Sequence, residues 1–284
     1  EKGVCMSCLS CGSKLTQFLD LGKMAFANAF LDRVDQIEEK ESLEVGYCIG
    51  CHLVQLMPNS RVDPEKLFLN YAYTTSTSPQ LHKHFEQYAE EIASRYPNLG
   101  SQFVVEIAAN DGLFIRCLRN KGIRNVLGID PAINVVKVAL EEGFDMECGF
   151  FDHNFALKVE SKHGKAQLII ANNVLAHTPN PNAILKAVCS LLKPDGVFVC
   201  EVQHLKSLVD TNEWTNIYHE HFSYFSLLSI NKLFEQCGLR IFDVVKVNTQ
   251  GGSLRIWASK ENQQPSMEFS NILEAEQVFE LNSL

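Results

Sequence analysis

Apolar residues in the middle of the chain recur with two alternating periods. Over residues 78–97, Leu81, Phe85, Tyr88 and Ile92 fall at helical spacing, with Ser78 placed as N-cap, Pro79 in the first turn and Pro97 as the stop. The next stretch, "FVVEIAANDGLFIRCLRNKG", reads as an apolar strand, a turn of small residues and a helix ending near Gly122. The order then returns: "NVLGIDP" predicts a strand and "NVVKVALEEG" a helix stopped at Gly143. "AQLIIANNVLAH" predicts another strand, "NAILKAVCSLLKPDG" a helix and "VFVCEV" a strand. "SLLSINKLFEQCGL" is a further helix, with "RIFDVVKV" and "SLRIWAS" as closing strands. Beyond them Phe269, Ile272, Leu273 and Val278 mark an amphipathic helix. Such alternation predicts an α/β domain: a mostly parallel sheet with helices on both faces.

Ligands of these sheets bind beyond the carboxyl ends of the strands. There the first turn carries Glu106, Ala108, Asn110 and Gly112, and the second strand ends at Asp130 and Pro131. A carboxylate at Asp130 can accept hydrogen bonds from both hydroxyls of a ribose. The turn holds no complete G-x-G-x-x-G, which disfavours a pyrophosphate cradle. The last helix and two final strands fit a seven-stranded sheet with one reversed strand. That pattern looks like a class I S-adenosylmethionine-dependent methyltransferase, a Rossmann-like fold, rather than a nicotinamide dehydrogenase. In this frame Phe151, or its neighbour Phe150, is placed to stack on adenine. Asn172 and Asn173 are placed to position the methionyl part of the cofactor.

A different kind of segment precedes the α/β pattern. Cys8-x-x-Cys11 and Cys48-x-x-Cys51 form two knuckles, each able to aim two sulfurs at one point, and Gly12 lets the first turn close. Four thiolates suit a tetrahedral zinc with no open position, hence a structural one. Cys5-x-x-Cys8 is a competing register and His52 an alternative ligand; the Cys-Gly step after Cys11 favours the later pair. A segment of about sixty residues gains from such a staple. The other cysteines are scattered, and Cys117, Cys189, Cys200 and Cys237 read as small buried core residues. The predicted division is a zinc-binding module with linker at 1–75, a methyltransferase domain at 76–260, and the start of a C-terminal region at 261–284.

Charge and composition narrow the partners. With 34 acidic against 25 basic residues the net charge is −9, which speaks against nucleic acid as the main ligand. No apolar run nears the roughly 20 residues that span a bilayer, and no leader pattern precedes the cysteines, so a cytoplasmic, monomeric protein acting on a small molecule is expected. The chain begins at Glu1, so a few native residues are expected to precede it.

The most distinctive stretch is "YHEHFSYFS" at 218–226. It follows, in order, the four cysteines, "YAYTTSTS", "VVEIAANDG", "GIDPA" and "NNVLAH", and precedes "GGSLRIW". From about Cys8 to Lys260 this combination resembles the zinc-containing sugar C-methyltransferases, which methylate carbon 3 of nucleotide-linked 4-keto-deoxysugars. The resemblance implies S-adenosylmethionine and structural zinc as cofactors, with zinc on Cys8, Cys11, Cys48 and Cys51. It implies His221 as catalytic base, helped by Glu220 and Tyr218, and His177 facing the substrate. His219 is then structural, Tyr71 and Tyr73 reach the cleft from the linker, and His82 and His84 are solvated on their helix. Two departures stand out. The family reads "EIGSNDG" where this chain has Ala108 and Ala109, and a methyl at 108 is tolerated only at negative φ. The family also continues into a further α/β domain after "GGSLR", whereas this chain stops at Leu284 and is expected to be a shortened copy.

The chemistry explains the residue types. A carbon beside a ketone becomes a nucleophile only after losing a proton, and the enolate oxygen then needs a donor. Imidazole, with an ordinary pKa of about 6.5, offers a neutral base at working pH.

Overall fold

Residues 7–31, 33, 35–69 and 71–283 are described by the structure, a computed structural model. The front of the chain is a long antiparallel hairpin, β1 (Leu15–Ala25) and β2 (Lys40–Cys48), extended by the short β3 (Val54–Leu56). Leu43, Val45 and Leu56 bury one face of it. After the single-turn helix α1 (Pro64–Phe68) comes α2 (Pro79–Arg95), which buries Phe85, Tyr88, Ala89 and Ile92 as its periodicity predicts. Ser78 stands at the N-cap of α2, yet its hydroxyl donates to Gln80 and caps no backbone amide.

The α/β alternation then proceeds through β4 (Val104–Ile107), α3 (Leu113–Asn120), β5 (Val126–Asp130), α4 (Ile133–Glu141), β6 (Asp145–Cys148), α5 (His153–His163) and β7 (Ala166–Asn172). It continues with α6 (Pro181–Leu191), β8 (Leu192–Gln203), α7 (Leu205–Asp210), β9 (Ser223–Tyr224), α8 (Leu227–Gln236), β10 (Arg240–Val247), β11 (Ser253–Ser259) and α9 (Met267–Ser283). Seven strands form one sheet in the order β10-β11-β8-β7-β4-β5-β6, parallel except for β11, which runs against both neighbours. The expected seven-stranded sheet with one reversed strand, the class I methyltransferase topology, is what forms. Val104 packs into the core on one face of the sheet and Val105 into the core on the other. This two-sided burial is why the strands read as unbroken apolar runs. Each fully buried side chain of the size of Phe198 or Leu227 stabilises the fold by about 1.5–3 kcal/mol.

Three features differ from the sequence reading. "KPDG" (193–196) belongs to β8 rather than to the preceding helix, with a bulge between the Ala166 and Leu168 pairings. Cys189 is half-buried, while Cys117, Cys200 and Cys237 are buried as expected. The largest difference concerns β9, a two-residue strand inside the "YHEHFSYFS" stretch. It pairs with β3 (Val54 opposite Tyr224, Gln55 opposite Ser223), and the Leu56 amide donates to the Phe222 carbonyl at 3.0 Å. The front sheet is therefore completed by a strand from within the α/β region, between α7 and α8.

The last helix is tied to the same neighbourhood. Buried Glu276 of α9 accepts hydrogen bonds from the Leu227 and Leu228 amides at the start of α8 (both 2.8 Å) and lies 2.7 Å from His204 Nε2. Among the described residues, no helix is long and apolar enough to cross a membrane.

Candidate active site

Two matching turns bring four sulfurs together. The Gly12 amide donates to the Cys8 carbonyl (3.0 Å), and the His52 amide to the Cys48 carbonyl (2.7 Å). In each turn the residue after the second cysteine takes left-handed backbone, Gly12 at φ 74° and His52 at φ 65°. His52 thus closes the second knuckle, and its Nδ1 lies 2.7 Å from Tyr47 Oη. The four sulfurs lie within 4.8 Å of one another, with Cys8–Cys51 at 3.4 Å and Cys11–Cys48 at 3.5 Å. These spacings are far too long for a disulfide (about 2.05 Å). They are close to the edge of a tetrahedron with metal–sulfur bonds of about 2.3 Å. Cys5 lies outside the described residues. The knuckles dock on the α/β domain: Asn182 Nδ2 donates to the Leu9 and Ser10 carbonyls (2.9 and 2.7 Å), and Lys232 to the Gly50 carbonyl (3.3 Å).

A cavity of about 820 Å³ opens at the carboxyl ends of β4, β5 and β7. That is near the top of the roughly 300–1,000 Å³ range of ligand pockets, room for a nucleoside cofactor and a second small molecule. Glu106, Ala108, Asn110, Asp130, Pro131, Phe151, Asn172 and Asn173 all line it, with Phe150 beside them. Gly112 does not. It closes the turn at φ 80°, where a Cβ would meet the Phe144 ring at 2.5 Å. Asp130 ties the loops together, accepting from the Asn110 amide (2.9 Å) and the Ala132 amide (2.8 Å). Burial pushes the Asp130 carboxyl up, and burial beside Asp130 and Asp111 pushes Glu106 well up. The side chain of Asn110 is committed elsewhere: Oδ1 accepts from the Thr75 amide (2.9 Å) and Nδ2 donates to the Tyr73 carbonyl (3.1 Å).

The opposite wall carries the histidines. Tyr218 and His177 line the cavity, together with Tyr71, Tyr73 and Asn28. His221 stands one layer behind, 2% exposed, its ring 4.2 Å from that of Tyr218 and 4.7 Å from that of His177. Nδ1 of His221 lies 2.8 Å from the Asn216 carbonyl, which accepts only, so Nδ1 carries the hydrogen. Nε2 is then the free base, and Tyr218 Oη donates to it at 3.1 Å. Burial lowers the pKa of His221 to about 4; burial, with His221 alongside, lowers that of His177 to about 3. Both imidazoles are neutral at pH 7. Glu220 borders a smaller cavity of about 240 Å³ and accepts from Asn28 Nδ2 (2.8 Å) and Tyr71 Oη (3.2 Å), while burial pushes its carboxyl up. His219 packs edge-on against Phe26 with Nε2 3.2 Å from the Ser42 carbonyl, a structural placement.

His84 departs from its expected solvated state. It sits 2.8 Å from Glu201, itself bonded by Arg255 (2.8 Å), in a buried charged group beneath the cavity-lining face of α2. His82, also expected to be solvated, is half-buried, and its Nε2 donates to the Ser76 carbonyl at 2.8 Å.

Comparison with known proteins now decides the family. A family model described as "Methyltransferase domain" matches residues 80–244, more than half of the chain. The chain belongs to this methyltransferase family. A second model, "Putative zinc binding domain", matches residues 8–68, spanning all four clustered cysteines. The C-methyltransferase NovU of Streptomyces niveus is 35% identical over 217 residues, which cover 76% of this chain and 51% of NovU. The methyltransferase chain therefore spans about half the length of that curated relative. Among solved structures, magnesium protoporphyrin IX methyltransferase from Synechocystis PCC 6803 with bound S-adenosylhomocysteine aligns at a TM-score of 0.50 and 15% identity, covering 63% of this chain and 83% of that one. The PH0226 protein of Pyrococcus horikoshii OT3 aligns at 0.52 and 16% identity, covering 69% and 98%. These two likenesses concern the fold.

The methyltransferase's own residues fit both groups. Four thiolates at tetrahedral spacing suit structural zinc. In the cavity, Glu106 Oε2 and both polar atoms of Asn172 are buried with no protein partner, an acceptor-and-donor set suited to the hydroxyls and amino acid end of S-adenosylmethionine. Ala108 is the misfit. It lines the cavity at φ 56°, the left-handed region, where a methyl costs about 1–2 kcal/mol. Ala108→Gly is expected to raise the thermal midpoint by about 2–3 °C despite the added freedom of glycine in the unfolded chain. A scanning-calorimetry midpoint that falls instead would show that the Cβ, packed on the neighbouring core, outweighs the strain. Asn28 and the carbonyl of Asn216 escaped the sequence reading. Asn28 sits at φ 60° in an irregular hairpin end, and a carbonyl has no residue-type signature.

Proposed function

We propose that this chain is a cytoplasmic, monomeric S-adenosylmethionine-dependent C-methyltransferase acting on carbon 3 of a nucleotide-linked 4-keto-deoxysugar. The observation that carries the reading is the Tyr218–His221 couple: a phenol in the cavity wall backed by a buried, neutral imidazole whose tautomer the Asn216 carbonyl sets. An amine already carries the lone pair that attacks a methyl group, whereas a carbon beside a ketone has none until a base removes its proton. NovU, the curated relative, is named a C-methyltransferase.

Bound S-adenosylmethionine supplies an electrophilic methyl group on a sulfonium sulfur. Glu106, Asp130 and Asn172 would hold its polar ends, and Phe151 would stack on its adenine. Tyr218 Oη takes the proton from carbon 3 while its own proton passes to Nε2 of His221. The electron pair left on carbon is shared with the ketone oxygen; His177, whose single N–H donates to the Glu220 backbone, packs against His221 and forms part of the wall. Glu220, bonded by Asn28 and Tyr71, holds the Tyr71 phenol in place in the cavity wall.

Solvent exchange tests the proposal without methyl transfer. With S-adenosylhomocysteine in the cofactor site and a thymidine diphosphate-linked 4-keto-6-deoxyhexose in deuterium oxide, the carbon 3 proton is expected to exchange, as read by proton NMR. Tight S-adenosylhomocysteine binding with no exchange would sink the carbon-acid chemistry and leave the methyltransferase family intact.

A further inference from the structure

The segment joining the front module to α2 is unlike an ordinary loop. Residues 71–74 have no regular structure and 75–77 make a single 3₁₀ turn, yet the stretch is laced along its length. At one end the Tyr71 amide donates to Asn134 Oδ1 (3.1 Å), and Asn134 Nδ2 returns a bond to the Tyr71 carbonyl (2.7 Å). In the middle the side chain of Asn110 holds the Tyr73 carbonyl and the Thr75 amide. At the far end the Ser76 amide (3.0 Å) and hydroxyl both donate to Asp111 Oδ2.

All these ties run to two loops. Asn110 and Asp111 follow β4, and Asn134 lies in the first turn of α4, just after Asp130. Asp130 bonds both loops, one oxygen to each, and it lines the cavity where the cofactor ribose is placed. The strap's own side chains, Tyr71, Tyr73 and Thr75, line the same cavity, and Tyr71 Oη donates to Glu220. The geometry points to a coupling: a ligand that engages Asp130 steadies both loops, they steady the strap, and the strap sets Tyr71 on Glu220. Asn110, Asp111 and Asn134 are positioning residues, and cofactor and acceptor each favour the binding of the other. Only the acceptor's identity in this statement rests on the proposed function.

Because such coupling is reciprocal and typically 5–150-fold, it is measurable from the cofactor side alone. Hydrogen–deuterium exchange of the full chain, with and without saturating S-adenosylhomocysteine, is expected to show at least about fivefold slower exchange across residues 71–78 when the ligand is bound. Asn134→Ala, on an exposed side chain, and Ser76→Ala each remove ties without touching the cavity-lining set. Each is expected to lose most of the protection while keeping S-adenosylhomocysteine affinity within about the fivefold lower bound of coupling. Protection absent from the native chain, or unchanged in both variants, overturns the strap. Failure of S-adenosylhomocysteine to bind at all removes the proposed function together with it, whereas binding without strap protection removes the strap alone.

Discussion

Zinc removal is expected to unfold the front of this protein and loosen the cavity wall that carries Tyr218 and His177 along with it. The cysteine knuckles are not a detachable appendage. Cys8, Cys48, Cys51, Leu15, Leu53 and Met57 belong to the same core cluster as the inner face of the seven-stranded sheet. From Cys51 the chain runs directly into β3, and β3 pairs with β9, four residues beyond His219. Zinc supplies about 10–16 kcal/mol in small zinc-folded peptides, as much as the whole stability of a typical domain at about 5–15 kcal/mol. Without it, four sulfurs crowd within 4.8 Å around nothing that draws them together. The purified chain is expected to carry one zinc by atomic emission. Cys51→Ser, or a strong chelator, is expected to abolish the cooperative melt of the front sheet, seen as fast hydrogen exchange over β1–β3 and also over 218–226. A zinc-free chain that keeps β9 protected would show that the knuckles are ornamental to the active site.

The middle of the seven-stranded sheet was legible in the sequence because β4, β5 and β7 are buried on both faces, which leaves apolar runs with Gly122 and Gly143 as stops. The edge strand β6, exposed at both ends, has no such run. The zinc knuckles were legible for a different reason: spacing alone brings two sulfurs to one point. What escaped depends on contacts between distant residues. β9 is two residues long and has no period to read, so its pairing with β3 is set by tertiary structure. His84 looks solvated on a helical wheel, but its partner Glu201 lies 117 residues away. At the candidate site, the residue types of "YHEH" were readable and their order in depth was not. Placing Tyr218 in the wall with His221 behind it follows from a turn in which the His221 amide bonds the Tyr218 carbonyl at 3.0 Å. Ala108 was a visible departure, and only its φ of 56° shows that the unfavourable case applies.

Breaking the Tyr218–His221 couple is expected to slow carbon 3 exchange by about 10²–10⁴-fold, the usual contribution of a positioned base. Tyr218→Phe keeps the ring and removes the relay oxygen. His221→Asn keeps a polar side chain in the buried slot and removes the proton sink. If the two act as one unit, the double variant is expected to be no slower than the worse single, because each already stops the same transfer. Additive losses would mean separate roles. The pH profile carries a second, independent expectation. Since burial holds His221 at about 4 and His177 at about 3, both stay neutral as pH falls from 8 to 5. Exchange should therefore be flat across that range and decline only near pH 4, whereas a solvated imidazole would lose half its base form near 6.5. Stability moves the other way around the same groups. Between about pH 6.5 and 4 the unfolded chain takes protons on these two histidines that the folded chain refuses, so folding weakens as pH drops and is strongest above 6.5. Denaturant midpoints at pH 7 and pH 5 should differ more for the native chain than for His221→Asn, which has lost one of the two groups. A native exchange profile with its midpoint at 6.5 would place the working base in contact with water, and the buried couple would then have to be a support for some other proton acceptor in the cavity.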